Sequence, residues 1–283
     1  MQYAVGQVYG KVGYDTITLG GYSVPDQDFG VATNTSKTGY TGSQMTGLMG
    51  MGFPRDSSNV FPATTPWWIN ALQGKGGKPK WPKPMFGMAL SSTASGPGAQ
   101  AGGKLTLGGV DGSAIEGGEA ALKWSPVVTN TTWAIHMDDL VLGGSSLLPQ
   151  KDGRPVPQKA RMDTGTAGLM GPLQVVKDVF SRIPGAFYDA NRSTAGKVEY
   201  YRYPCDAMPE VDLTFGGTRY PLRPESMVYR RNKHNESSTE ETCIANLFAW
   251  PSDEWIIGDS VFHSIYVAFQ LEPRQVGIGK LAA

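Results

Sequence analysis

Short alternations of polar and apolar residues, several ending in a pair of glycines, recur along this chain. DTITLGG (residues 15–21) alternates before Gly20-Gly21, as a half-buried strand entering a tight turn should. KLTLGG (104–109) and DDLVLGG (138–144) repeat the theme. VDLTFGGTRYPL (211–222) alternates on both sides of Gly216-Gly217, which predicts a hairpin. Two stretches break the period of two. TPWWINALQG (65–74) predicts a helix with Thr65 as N-cap, Pro66 at the first helical position and Gly74 as the stop. GPLQVVKDVFSRI (171–183) opens with Pro172 and sets Leu173, Val176, Phe180 and Ile183 on one face. Both read as packing helices. KGGKPKWPKP (75–84) reads as a Pro/Gly-rich loop with solvated lysines, and SSTASGPGAQAGG (91–103) as a low-complexity surface turn.

Composition agrees with a turn-rich β protein: 18% charged residues, with Gly 37 and Pro 20 in 283 residues. That length allows one large domain or two lobes. Lys+Arg 25 against Asp+Glu 25 leaves no bulk charge to attract nucleic acid or an anionic membrane. The default ligand is therefore a neutral polypeptide or a small molecule. No apolar run approaches the roughly 18–20 residues that span a bilayer. Cys205 and Cys243 are the only cysteines and could close one loop, worth roughly 4 kcal/mol if oxidised. Asn-x-Ser/Thr sequons stand at Asn34, Asn130, Asn191 and Asn235. Together these features favour an extracellular setting, although MQYAVGQVYG has no basic segment followed by an apolar one, as a signal peptide would.

Several chemistries fall away. GAQAGGKL (98–105) nearly meets a phosphate-loop spacing, but Leu105 stands where a Ser or Thr should bind magnesium. His136, His234 and His263 lack a second ligand at i+3 or i+4, so no metal site is expected. No Gly-x-Ser-x-Gly elbow occurs for a serine nucleophile. What remains is a carboxylate in RMDTGTAGLMGP (161–172). Gly165 permits a tight turn that can aim the Asp163 side chain outward, and the hydroxyls of Thr164 and Thr166 can hold the carboxylate. Two facing carboxylates share one proton, so that one activates water while the other protonates a peptide carbonyl. Such a reaction needs no cofactor.

In that context the chain resembles the pepsin-like aspartic peptidases, secreted fungal members in particular. QYAVGQVYGKVGYDTITLGG (2–21) resembles the flap hairpin and its following strand, with Tyr3 at the flap tyrosine. GLMGMGFP (47–54) resembles the segment closing the first lobe's core loop, and KLTLGGVD (104–111) the turn before the interlobe crossing. LKWSPVVTNTTWAIHMDDLVLGG (122–144) resembles the opening of the second lobe. MDTGTAGLMGP (162–172) is similar to the second catalytic loop, which implies that Asp163 is a catalytic aspartate, with Gly165 and Thr166 beside it. The resemblance also implies a Cys205–Cys243 disulfide, and WIIGDSVFHSIYVAFQLEPRQVGIGKLA (255–282) is similar to the family's C-terminal stretch.

The implied fold is all-β and bilobal, with residues 1–118 a remnant of the N-terminal lobe and residues 119–283 a complete C-terminal lobe. Departures shape the expected function. The family carries a first Asp-Thr-Gly or Asp-Ser-Gly ahead of the flap, preceded by a signal and a propeptide. Here Asp15, Asp26, Asp28 and Asp56 are not followed by Thr-Gly or Ser-Gly. Ala4 and Val5 also replace the usual pair after the flap tyrosine, and Ala167 a common Ser. The expectation is an aspartic endopeptidase that cuts polypeptides between bulky apolar residues at acid pH, present as an incomplete, monomeric chain inactive alone. The alternatives are a non-catalytic homologue that binds peptides or proteins, and a self-associated form in which two Asp163 side chains make one dyad. The complete protein is expected outside the cell.

Overall fold

The computed structural model describes residues 7–36, 46–54, 65–77, 80–91, 102–193, 197–233 and 241–282. Tyr3, Ala4, Val5, Asp56, His234 and Asn235 lie outside them. Contacts group the chain into two compact units, Met1–Pro84 with Asn130–Thr132, and Met85–Thr129 with Trp133–Ala283.

In the first unit the strands β1 (Gln7–Leu19) and β2 (Tyr22–Ser36) form a long antiparallel hairpin. Helix α1 (Trp67–Gln73) packs beside it. Its indoles reach back into the fold: Trp67 donates to the Ile17 carbonyl at 3.0 Å and Trp68 to that of Gly52 at 2.7 Å. Trp81 lies within about ring-contact range of both, at 6.4 and 6.3 Å, and of Tyr22 at 5.9 Å. The helix begins one residue later than expected. Pro66 is extended (φ −53, ψ 144) and its carbonyl accepts the Ile69 and Asn70 N–H groups, so Pro66 is the cap. Thr65 instead offers its carbonyl to the side chains of Gln27 and Asn70. Gly74 ends the helix in the left-handed region, as the sequence predicts.

The second unit starts with β3 (Met85–Ser91), β4 (Gly102–Leu107), β5 (Lys123–Pro126), β6 (Ala134–Met137), β7 (Asp139–Leu142) and β8 (Ser145–Ser146). A small hairpin follows, β9 (Gln150–Lys151) and β10 (Arg154–Pro155), then β11 (Gln158–Met162) and β12 (Leu169–Pro172). Helix α2 (Leu173–Ser181) leads to β13 (Phe187–Tyr188), β14 (Tyr201–Pro204), β15 (Val211–Phe215) and β16 (Thr218–Pro221). The chain closes with β17 (Val228–Lys233), β18 (Glu241–Ala245), β19 (Leu247–Trp250), β20 (Trp255–Ile257), the short helix α3 (Asp259–Phe262), β21 (Ile265–Gln270) and β22 (Gln275–Lys280).

The glycine pairs at 20–21, 143–144 and 216–217 do what their spacing predicts, whereas Gly108-Gly109 ends β4 without a two-residue turn into a paired strand. Gly216 and Gly217 (φ 55 and 72) turn β15 into β16, and the pairs at 20–21 and 143–144 make the same two-residue turn between β1 and β2 and between β7 and β8. Positive φ at both central positions matches the twist of the flanking strands, and glycine adopts it without a steric cost. β15 alternates buried and half-buried positions along its length. In α2 the buried residues are Val176, Val179 and Phe180, with Ile183 just beyond, while Leu173 is only half-buried. Phe180 stacks on Tyr201 with ring centroids 4.4 Å apart.

One sheet, in the order β4-β3-β21-β22-β5, unites strands distant in sequence. Phe269 on β21 stacks on Phe86 of β3 at 4.7 Å, and Trp133 meets Phe269 edge-on at 5.2 Å. All three rings are buried. A second sheet, β13-β14-β18-β17, carries the disulfide Cys205–Cys243, which ties the end of β14 to β18 across a separation of 38 residues.

Candidate active site

The Asp163 loop is set by an exchange of strand order. β11 and β12 are consecutive in sequence, yet β20 lies between them, in a sheet ordered β19-β12-β20-β11-β6. β20 runs parallel to β11, with Met162 opposite Ile257, and antiparallel to β12, with Leu169 opposite Ile257. The chain between β11 and β12 must therefore pass around the end of β20, and residues 163–168 make that passage.

Hydrogen bonds fasten the loop to the segment it encircles. The Asp163 N–H donates to the Ile257 carbonyl at 3.0 Å, continuing the ladder one step beyond β11. The Asp259 N–H donates to the Thr166 carbonyl at 2.8 Å, and the Ser260 N–H to that of Ala167 at 3.3 Å. Gly258 sits inside the loop, where an added Cβ would collide with the Thr166 and Gly168 carbonyl oxygens. From the far side, the Leu169 N–H donates to the Asn246 carbonyl at 2.9 Å, and the Asn246 side chain occupies the space that a side chain at Gly168 would need. Asn246 is itself bonded to the Ser226 and Met227 carbonyls.

Within the loop the carboxylate of Asp163 has two donors. The Gly165 N–H reaches one oxygen at 3.0 Å, and the Thr166 hydroxyl reaches the other at 3.3 Å. The two hydroxyls foreseen from sequence are thus one hydroxyl and one backbone N–H, while Thr164 is exposed. The Thr166 N–H closes the turn on the Asp163 carbonyl at 3.0 Å. Buried Ala160 and Met162 alternate with Lys159, Arg161 and Asp163, which share the opposite, more open face of the strand. The result is a carboxylate with a fixed donor on each oxygen, at the rim of a sheet.

Nearby, burial raises the Asp259 carboxyl to about 6, against the opposing pull of the Ser260 N–H. Gly258, Asn246 and the shift at Asp259 were not legible as site features, because each depends on a strand pairing remote in sequence. Among the described residues no group of three or more His, Cys, Asp or Glu side chains could hold a metal ion, and no helix is long and apolar enough to cross a membrane. His136 is exposed on β6, and burial lowers the His263 pKa, helped by Arg223. Asn34, Asn130 and Asn191 are exposed.

A two-lobed, all-β chain with an Asp-Thr-Gly loop threaded around a central strand defines the class of pepsin-like folds. Comparison with known proteins agrees: the family model for eukaryotic aspartyl protease matches residues 1–281, and the chain belongs to that family. It is 30% identical to gastricsin of Rattus norvegicus, over 98% of this chain and 65% of the relative. It is also 30% identical to major aspartyl peptidase 1 of Cryptococcus neoformans var. grubii, over 99% of this chain and 56% of the relative. An aspartic protease of Phaffia rhodozyma is 26% identical over 96% of this chain and 60% of its own length. The chain thus spans between 56% and 65% of the length of these relatives.

Proposed function

We propose that the protein is an aspartic endopeptidase that hydrolyses polypeptides at acid pH, preferring bulky apolar residues, with Asp163 as one of two catalytic carboxylates. The observation that carries this reading is the double fastening of the Asp163 carboxylate by the Gly165 N–H and the Thr166 hydroxyl, in a loop pinned on Gly258. In the ionised form such a carboxylate takes a proton from water as the water attacks the peptide carbonyl. Its protonated partner donates to the carbonyl oxygen, and the pair then passes a proton to the leaving amine. Gly165 and Thr166 would line the reacting bond, and Tyr3 would cover it from the flap.

The given sequence holds a single Asp-Thr/Ser-Gly, at Asp163, so the second carboxylate has no counterpart in that setting within these 283 residues. Two other readings draw on the same fact: a homologue that binds peptides without cutting them, and two chains that pool their Asp163 side chains. The protein is further proposed to act as a monomer outside the cell, with the exposed Asn34, Asn130 and Asn191, together with Asn235, carrying glycans. The disulfide and the exposed sequons support that setting. The lobes are further proposed to divide at 118/119, which the consecutive positive-φ turn residues Gly117 and Gly118 support; the contact-defined units part at Pro84 because β3 and β4 pair into the sheet of β21.

Haemoglobin hydrolysis at about pH 3–5 tests the reading. The 283 residues by themselves are expected to leave the substrate intact. A longer chain with a second Asp-Thr/Ser-Gly placed ahead of residue 1 should cut it, stop with pepstatin, and lose on the order of 10³-fold in Asp163→Asn. Activity of the 283 residues alone, abolished by pepstatin and by Asp163→Asn, would favour the pooled dyad. A folded longer chain that binds peptides without cutting them would favour the binding module.

A further inference from the structure

We propose that Arg161 recognises a carboxylate side chain of the bound polypeptide, an Asp or Glu within two residues of the cleaved bond. This inference rests on the reading of Asp163 as the catalytic carboxylate, and it adds an acidic preference to one that would otherwise be purely apolar.

Arg161 stands two residues before Asp163 on β11, on the same face of the strand, with Ala160 and Met162 turned into the core at 0% and 5% exposure. Its neighbours across the sheet are Ile256 on β20 and Ala134 on β6. Beyond Ile256 the same row continues through Met170 to Phe248. A guanidinium therefore interrupts an otherwise apolar row and finds no acceptor side chain in it. Its Nε is buried with no hydrogen-bond partner, and no ion pair to it occurs among the described residues. Lys159, two residues earlier on this face, differs: Glu254 lies 3.6 Å from its ammonium.

An N–H taken out of water without an acceptor costs folding free energy, so the position is explained if the acceptor arrives with a ligand. The planar fork of an arginine matches a carboxylate with two parallel donors, and an apolar surround strengthens that contact. Geometry limits the place of the acid. At about 3.3 Å per residue, Arg161 and Asp163 are separated along the strand by roughly the span of two residues of an extended peptide. A substrate residue one or two positions from the bond at Asp163 can therefore meet Arg161.

The test is binding by the 283-residue chain, measured by fluorescence anisotropy at about pH 5.5, where a substrate Glu is ionised. The probes are fluorescein-labelled octapeptides with a central Phe-Phe pair, identical except for Glu, Gln or Leu at each of the two positions on either side of the pair. At one of these positions the Glu peptide should bind roughly tenfold more tightly than its Gln isostere, and Arg161→Met should close that gap. The wild-type comparison alone is decisive if Arg161→Met does not fold. Equal binding of the Glu and Gln peptides at every position would overturn the role of Arg161 and leave the peptidase reading standing. A folded chain that binds none of the peptides would likewise overturn the role of Arg161, while the peptidase reading stands or falls on cutting by the longer chain.

Discussion

Asp259 links the site to pH. Burial holds its carboxyl at about 6, above the ordinary 3.8, so the folded chain keeps a proton that the unfolded chain releases at lower pH. The contribution is whole below about pH 4, declines as pH rises towards 6, and is gone above it. Because the side chain is only half-buried, solvent screening reduces the effect to about 1–2 kcal/mol. The urea midpoint of the wild type should therefore fall between about pH 4 and pH 6.5, and Asp259→Asn should flatten that limb; an unchanged slope in the variant would show that another group is responsible. Asp111 behaves oppositely: a hydrogen bond from Lys104, with help from Ser113, lowers it to about 2, so its share is lost only as pH falls below the ordinary carboxylate range. A fold with Asp259 protonated is thus best supported in the acid range in which the proposed chemistry operates.

At the scale of elements, the Asp163 loop depends on a strand that is not its neighbour in sequence. β20 enters between β11 and β12, and Gly258 at its end leaves no room for a side chain beneath the Thr166 and Gly168 carbonyls. Gly258→Ala should destabilise the chain by about 3 kcal/mol, because backbone rather than a flexible side chain must yield. It should also loosen the Asp163 turn. Thermal unfolding gives the first effect, and hydrogen exchange at the Thr166 and Leu169 amides gives the second. Unchanged protection there would mean that the loop is held without Gly258. The hairpins need no such remote support, since their glycine pairs set the turn locally.

On the scale of the whole molecule, β22 occupies an interior place between β21 and β5, burying Val276 and Ile278 at 0% exposure. Tyr220 on β16 adds a bond to the Ile278 carbonyl at 3.0 Å, so the last strand also touches a second sheet. Ending the chain at residue 274 should leave β21 and β5 with unpaired edges and expose an apolar face. The expected outcome is loss of near-ultraviolet circular dichroism and of a cooperative thermal transition in the shortened chain. Retention of both would show that the unit tolerates an open sheet at that place.

The sequence by itself determined the β class, the hairpins at Gly20-Gly21, Gly143-Gly144 and Gly216-Gly217, the two longer helices to within a residue or two, and the tripeptide that singles out Asp163. These signals are local: alternation, a glycine pair or a helix stop acts within a few residues and can be read along the chain. The cap of α1 moved from Thr65 to Pro66 because the Thr65 carbonyl is engaged by Gln27 from another element, which no local pattern reports. Only the tertiary structure decided that β20 lies between β11 and β12, that Gly258 and Asn246 brace the loop, and that Arg161 shares the face of Asp163 with its Nε unpaired among the described residues. Those features follow from strand order and register between segments far apart in sequence, where burial and backbone pairing over the whole sheet, rather than propensity, select the arrangement.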